Sequence, residues 1–131
     1  PQFIYPDREK VTYFEWIEPI LPNPPQFSGK IVFLTYSGAI SRPEYFLSFI
    51  KDNKLGDIVG QPTAGATGYA QAFAIPGNII IYFTGLEVLS KNRVPIHISG
   101  IEPTVEIERT IAGVREGVDE YIEKAIEFIH R

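Results

Sequence analysis

The fold is decided by the stretch Gly29-Lys-Ile-Val-Phe-Leu-Thr-Tyr-Ser-Gly-Ala-Ile-Ser-Arg-Pro-Glu44. Its first half is a short apolar run between two glycines, which predicts a strand over residues 30–36, buried on both faces in a parallel sheet. Its second half opens a helix predicted from Ser41 to about Asn53, with Pro43 tolerated in the first turn. Four large apolar side chains form one stripe of this helix: Tyr45, Phe46, Phe49 and Ile50.

The chain after this helix supplies further strands. Residues 57–59 form a short second strand, and a strand–helix–strand order with so short a return favours a right-handed parallel crossover. Apolar, β-branched runs predict strands over 69–75, 78–84 and 86–89, and Pro76-Gly77 marks an antiparallel hairpin between the first two. Residues 105–107 are a possible edge strand. The sequence therefore predicts an α/β fold with a partly parallel sheet.

The two ends of the chain differ in character. Residues 1–28 read as an extended, proline-rich segment with a possible strand over 11–17, because Pro19, Pro22, Pro24 and Pro25 interrupt regular structure. Residues 29–131 form the predicted domain. It closes with a helix whose apolar residues recur at helical spacing, and its first and last turns carry charges that match the helix dipole. The apolar positions of that helix are Val118, Tyr121, Ile122, Ala125, Ile126 and Ile129.

Composition excludes several classes of function. The net charge of −4 offers no basic patch for nucleic acid, and no apolar run approaches the length of a membrane span. The chain has no cysteine, and its two histidines, His97 and His130, are too far apart to form a ligand set, so we expect no metal site and no cofactor. Because the chain begins at Pro1 and contains no methionine, we expect a fragment or a processed product.

Ser41 is the best candidate for chemistry. It lies at the junction between a predicted strand and a predicted helix, so its hydroxyl would be near free backbone N–H groups that can stabilise an oxyanion. The structural alternative is a capping box, because Ser41 is followed three residues later by Glu44. Local pattern favours the cap, since no partner base is visible beside the serine.

Four segments, in their order along the chain, resemble a known family: residues 29–35, 38–44, 58–65 and 100–103. Together they resemble the tail-specific (carboxy-terminal processing) serine peptidases, whose relatives include the tricorn core protease. The resemblance covers about residues 29–130. It implies that residues 29–131 are the C-terminal part of a ClpP/crotonase-like α/β catalytic domain, with Ser41 as the nucleophile and the Arg42 N–H as one oxyanion donor. We expect three further residues to lie at the oxyanion and substrate site: Gly38, Thr63 and Gly65.

The general base is the main departure from the family pattern. The bacterial processing branch carries a lysine in a Gly-Lys-Gly loop, and here the matching position is Ala66. The tricorn-like branch, which this chain resembles more, uses a histidine from an upstream subdomain. By that resemblance we expect the fragment to carry the nucleophile without the base. His97 lies close to where that branch places a supporting carboxylate, so it is a secondary catalytic candidate; the alternative is an ordinary solvated loop histidine.

The resemblance implies a serine endopeptidase that acts through an acyl-enzyme on peptides or unfolded proteins. Its partners would be the substrate and the upstream segment of the same protein. An exposed sheet edge predicts a tendency to self-associate, and relatives of this kind suggest an extracytoplasmic location. One alternative is a non-catalytic module on the same fold that binds peptides or hydrophobic ligands. Another is a structural domain in which Ser41 is only a helix cap.

Overall fold

The computed structural model describes residues 2–4, 13–15, 21 and 23–130. These residues form seven strands and three helices. The strands are β1 (Gln2–Ile4), β2 (Tyr13–Glu15), β3 (Val32–Thr35), β4 (Asp57–Gly60), β5 (Tyr69–Ile75), β6 (Ile79–Leu89) and β7 (Val105–Glu106). The helices are α1 (Arg42–Asn53), α2 (Ile111–Glu116) and α3 (Glu120–Ile129). Within this described part, no helix is long and apolar enough to cross a membrane.

A three-stranded parallel sheet carries the predicted crossover. Its strand order is β3-β4-β7, and β3 pairs with β4 over four residues, from Val32 opposite Asp57 to Thr35 opposite Gly60. Helix α1 connects these two strands, as the pattern predicted, and α3 packs against both. The core forms where α1 meets β4 and the loops beside it. Its buried side chains are Leu47, Ile50, Ile58, Val88, Ile96 and Ile101.

The prediction that the first strand is buried on both faces is wrong. Leu34 is 46% exposed and Val32 and Phe33 are only partly buried, whereas Ile58 and Val59 of β4 are almost fully buried. The reason is position in the sheet: β3 is at the edge of the described parallel sheet, and β4 is in its centre. An apolar run indicates a strand but does not say whether neighbouring strands cover it.

A second sheet is antiparallel, with strand order β2-β1-β6-β5. Strands β5 and β6 form the predicted hairpin, and Gly77 and Asn78 in its turn have positive φ angles. The two strands predicted over 78–84 and 86–89 are one strand of 11 residues. The strand continues through Gly85, which is the unpaired residue where the register with β5 shifts, and the space a side chain would need there is filled by Gln71. Strand β1 lies in the segment expected to be irregular, and residues 23–31 carry no regular element.

The C-terminal helix begins at Glu120, so the first of the two acidic residues at its predicted start lies just outside the helix. Asp119 is its N-cap, and the Asp119 carboxylate accepts hydrogen bonds from the backbone N–H groups of Tyr121 and Ile122. His130 is its C-cap, and Arg131 lies outside the described residues. The preceding helix α2 was not predicted, because six residues are too few to show a helical period.

Candidate active site

Ser41 occupies a strained turn between β3 and α1. Its backbone has φ 61° and ψ −115°, a region that non-glycine residues rarely adopt and that costs about 1–3 kcal/mol. A sharp strand-to-helix turn of this kind projects a serine side chain away from the sheet, as in the nucleophile elbow of hydrolases. The Ser41 side chain is accordingly exposed, while the flanking Ala39 and Glu44 are buried.

The loop of residues 60–68 holds this turn in place through hydrogen bonds on either side of Ser41. The Ser41 N–H donates to the carbonyl oxygen of Ala66 at 3.0 Å, and the Thr67 hydroxyl donates to the Ser41 carbonyl oxygen at 2.8 Å. The Ala64 N–H donates to the Ala39 carbonyl oxygen at 3.0 Å. The strained conformation is therefore imposed by residues more than twenty positions away in the sequence.

The Glu44 side chain is hydrogen-bonded to both the Ser41 turn and the loop of residues 60–68. This side chain is fully buried, and its Oε1 accepts hydrogen bonds from the Thr63 hydroxyl at 2.7 Å and the Gly65 N–H at 2.6 Å. Its Oε2 accepts from the Ser41 N–H at 3.0 Å, which is the Glu44 half of the capping box. The glutamate half of the capping box predicted from the sequence is thus present. Glu44 also does more than cap the helix, because two of its three partners are in the loop.

A cavity of about 540 Å³ opens beside the serine. Its wall is formed by the start of α1, the end of the 60–68 loop, the start of β5 and one residue of β6: Ser41, Arg42, Tyr45, Thr67, Gly68, Tyr69, Ala70 and Val88. Because Ser41 is exposed on this wall, it can be the N-cap residue of α1 and also contact a ligand in the cavity. The Arg42 N–H belongs to the first residue of the helix and has no intrahelical acceptor.

The other predicted site residues lie in different places. Thr63 and Gly65 are buried behind the cavity and bind Glu44, so they support the turn and do not line the cavity. Gly38 borders a second cavity of about 320 Å³. His97 is exposed and is not on the wall of the Ser41 cavity; the adjacent Ile98 N–H donates to the Gly65 carbonyl oxygen at 2.7 Å.

Sequence reasoning missed two parts of this site. Tyr45 and Tyr69 line the cavity, although aromatic residues at such positions read as core. The loop partners of Glu44 were also not foreseen, because the Ser-x-x-Glu pattern is fully explained by a cap. Among the described residues, no histidine or lysine lines the cavity and no group of side chains could hold a metal ion.

Comparison with known proteins places the chain in a family. Residues 5–107 match the model of Peptidase family S41, so the chain belongs to this family of serine peptidases. The predicted resemblance to tail-specific serine peptidases is therefore confirmed, and the match begins upstream of the four segments that suggested it.

Individual relatives agree with this assignment. An uncharacterized protein of Chlamydia muridarum (strain MoPn / Nigg) is 32% identical over 112 residues, which are 82% of this chain and 19% of the relative. The structure of mature CPAF complexed with lactacystin is 30% identical with a TM-score of 0.72, over 79% of this chain and 21% of that one. The tricorn protease shares the fold at 24% identity and a TM-score of 0.67, over 76% of this chain and 10% of that one.

These similarities confirm the α/β fold class and the assignment as part of a larger domain. The chain spans about a fifth of the length of the first relatives that it matches.

Proposed function

We propose that Ser41 is the nucleophile of a serine endopeptidase that hydrolyses peptide bonds through an acyl-enzyme. The observation that carries the proposal is the strained backbone of Ser41, which holds an exposed side chain on the wall of a cavity at a helix N-terminus. Strain of this kind is retained where the surrounding structure over-determines it, and it concentrates at active sites. A helix cap alone does not need it, since N-cap residues ordinarily have extended backbones.

The chemistry follows from this placement. The Ser41 Oγ attacks the carbonyl carbon of the peptide bond and passes its proton to a general base. The developing oxyanion accepts a hydrogen bond from the Arg42 N–H, which is fixed at the helix start. The tetrahedral intermediate collapses, and the amine leaves with the proton from the base. Water then attacks the ester through the same steps, which releases the acid and restores the serine.

The general base is proposed to come from outside residues 1–131. Neither histidine of the chain lines the cavity, and Ala66 stands where the processing branch has its lysine. His97 is retained as a supporting residue, because its loop is hydrogen-bonded to Gly65, whose own N–H binds Glu44. Residues 1–131 alone should therefore bind peptides without turning them over. Peptides and unfolded proteins are the proposed substrates.

A fluorophosphonate probe tests the nucleophile in the full-length protein. We expect wild type and Ser37→Ala to be labelled and Ser41→Ala to be unlabelled; Ser37 is an exposed serine of the same turn and serves as the matched control. Equal labelling of wild type and Ser41→Ala would show that Ser41 is not activated. The same probe applied to residues 1–131 alone tests the source of the base, and no labelling is expected there.

A non-catalytic binding module is the second candidate, favoured by the absence of a histidine or lysine on the described cavity wall. It predicts that the full-length protein binds peptides with no labelling of Ser41 and no hydrolysis.

Self-association is a further proposal, since the sheet edge at β5 has no partner strand among the described residues. Sedimentation at increasing concentration tests it.

A further inference from the structure

The cavity beside Ser41 has one charged residue among those that the structure describes on its wall. That residue is Arg42, the first residue of α1, and it is exposed. No aspartate or glutamate of the described chain lies on the same wall. An arginine side chain stays protonated in proteins, and its guanidinium donates hydrogen bonds but cannot accept them. The described wall therefore has a net positive charge, although the chain as a whole has a net charge of −4.

No carboxylate in the described part of the chain neutralises the Arg42 guanidinium. It forms neither an ion pair nor a hydrogen bond with another described side chain. The acidic residue nearest to it in the sequence is Glu44, but the buried Glu44 carboxylate accepts hydrogen bonds from the Ser41 turn and the loop of residues 60–68. The guanidinium is therefore available to a ligand in the cavity.

The positive charge of Arg42 does not serve the helix that carries it. The first turn of a helix is the positive end of the helix dipole, where acidic side chains are favourable and basic ones are not. Arg42 is the first residue of α1, so its charge is at an unfavourable end of the helix. A role in the stability of α1 therefore does not explain why a cation is at this position.

The remaining wall of the cavity suits a ligand that carries both an anionic group and an apolar part. Tyr45 is three residues after Arg42, so the two side chains are neighbours on one face of α1. Tyr69 contributes a second phenol, and a phenol hydroxyl can donate to an anion. Ala70 and Val88 supply apolar surface. The described wall thus offers hydrogen-bond donors and apolar contacts without a carboxylate that would repel an anion.

We propose that the Arg42 guanidinium binds a carboxylate of the polypeptide substrate close to the bond that is cleaved, and that the protein therefore selects acidic segments. The inference rests on the proposed function and specifies one chemical feature of its substrate. The planar fork of a guanidinium matches the two oxygens of a carboxylate and can form two parallel hydrogen bonds with them. An acidic side chain and the carboxyl terminus of the substrate both present this group.

Binding of peptides to the full-length Ser41→Ala protein tests this without catalysis. The probes are hexapeptides of alanine and valine with an uncharged dansyl label at the amino terminus. They comprise a neutral amide, a series of amides with a single glutamate at each position in turn, and a neutral peptide with a free carboxyl terminus. We expect an acidic peptide of this set to bind about tenfold more tightly than the neutral amide. The preference should shrink as the salt concentration is raised to about 1 M.

Variants made in the same protein locate the interaction at Arg42, because side-chain replacement leaves the backbone N–H at the helix start in place. Arg42→Gln should abolish the preference, and Arg42→Lys should retain part of it, since lysine keeps the charge without the fork. Arg42→Glu should reverse it, so that peptides with lysine in place of glutamate bind more tightly than the neutral amide. Arg115→Gln removes an exposed arginine of α2 that is not on the cavity wall, and this matched control should leave the preference unchanged.

The pattern of binding decides the matter, and urea unfolding of each variant checks that it is folded. A preference for glutamate that Arg42→Gln abolishes and Arg42→Glu reverses supports the proposal with a side chain as the source of the carboxylate. The same pattern confined to the free carboxyl terminus supports it with the chain end as the source. Equal binding of acidic and neutral peptides, or a preference that survives in Arg42→Gln, overturns it. Fluorophosphonate labelling of wild-type Ser41 reports separately on the proposed function.

Discussion

Glu44 accepts a hydrogen bond from the backbone N–H of Ser41 at 3.0 Å while its other carboxylate oxygen binds the loop that faces the serine. A single buried side chain therefore fixes the start of α1 and the loop of residues 60–68 to each other. The strained backbone of Ser41 depends on this arrangement, since its N–H is directed at once to Glu44 and to the Ala66 carbonyl.

Replacing Glu44 should destabilise the protein and disorder the serine turn. Glu44→Ala leaves two buried donors, the Thr63 hydroxyl and the Gly65 N–H, without their acceptor, while the Ser41 N–H retains the Ala66 carbonyl. Each such loss costs about 1–3 kcal/mol, so we expect a decrease of about 2 kcal/mol or more in the free energy of unfolding. Glu44→Gln retains one acceptor oxygen and should cost less. Urea unfolding of the full-length variants measures the effect, with the exposed Glu116→Gln as the control. Equal stability of Glu44→Ala and the control would contradict the described network.

The backbone of Ser41 predicts the order of stability among its variants. Because φ is 61°, glycine adopts this conformation without a Cβ penalty and alanine does not. We expect Ser41→Gly to be more stable than Ser41→Ala by about 1 kcal/mol, and the ordinary preference for glycine over alanine at an N-cap acts in the same direction. The midpoints of urea unfolding measure the difference. An alanine variant as stable as the glycine variant would show that the turn is not held at positive φ.

Much of the fold could be predicted from local sequence. The apolar run before Ser41, the glycines around it and Pro76-Gly77 correctly indicated β3, α1 and the hairpin. These signals are local, because strand and helix periods and turn residues act within a few positions. The exposure of β3 could not be predicted in this way, since it depends on which strands pair with it.

The site was predictable only in part. Ser41 and Arg42 were correctly expected to lie together at the start of a helix, but the cavity wall also includes Tyr69 and Val88, which come from the second sheet. Which loop residues face the cavity and which lie behind it depends on hydrogen bonds between distant segments. Thr63 and Gly65 illustrate this, because both bind the buried Glu44.

Alanine variants at two glycines with nearly the same φ angle distinguish the cost of backbone strain from the cost of a steric clash. Gly65 has φ 69° and Gly117 has φ 73°, but a Cβ on Gly65 would lie 2.5 Å from the backbone of Ile98, whereas a Cβ on Gly117 would meet nothing within 4 Å. Gly117→Ala should cost about 1–2 kcal/mol through the backbone alone. Gly65→Ala should cost about 3 kcal/mol or more and reduce labelling of Ser41, because the loop must move. Equal costs in thermal unfolding would contradict the close approach at Gly65.

Two buried threonines should respond in opposite ways to replacement by valine. The Thr35 hydroxyl is buried without a partner in the described part of the chain, so Thr35→Val should raise the free energy of unfolding by about 1 kcal/mol. The Thr63 hydroxyl donates to Glu44 and accepts from the Ile101 N–H, so Thr63→Val should lower it by about 2 kcal/mol. Urea unfolding compares them, and a loss in Thr35→Val would contradict the first expectation.

The contribution of Tyr121 to the free energy of unfolding should decrease at alkaline pH. Partial burial raises the pKa of its phenol above the ordinary value near 10, Arg109 opposes this, and the nearby acidic groups, chiefly Asp119, add to it. The hydroxyl donates to Gln61 Oε1 at 2.9 Å, which ties α3 to the loop after β4. A raised pKa in the folded state means that the contribution is complete below about pH 10 and is lost as the pH rises through the folded-state pKa. Tyr121→Phe should therefore be less stable than wild type at pH 7, and the gap should narrow above pH 10. Urea unfolding from pH 7 to 11 measures the gap, and one that widens over this range would contradict the expected sign.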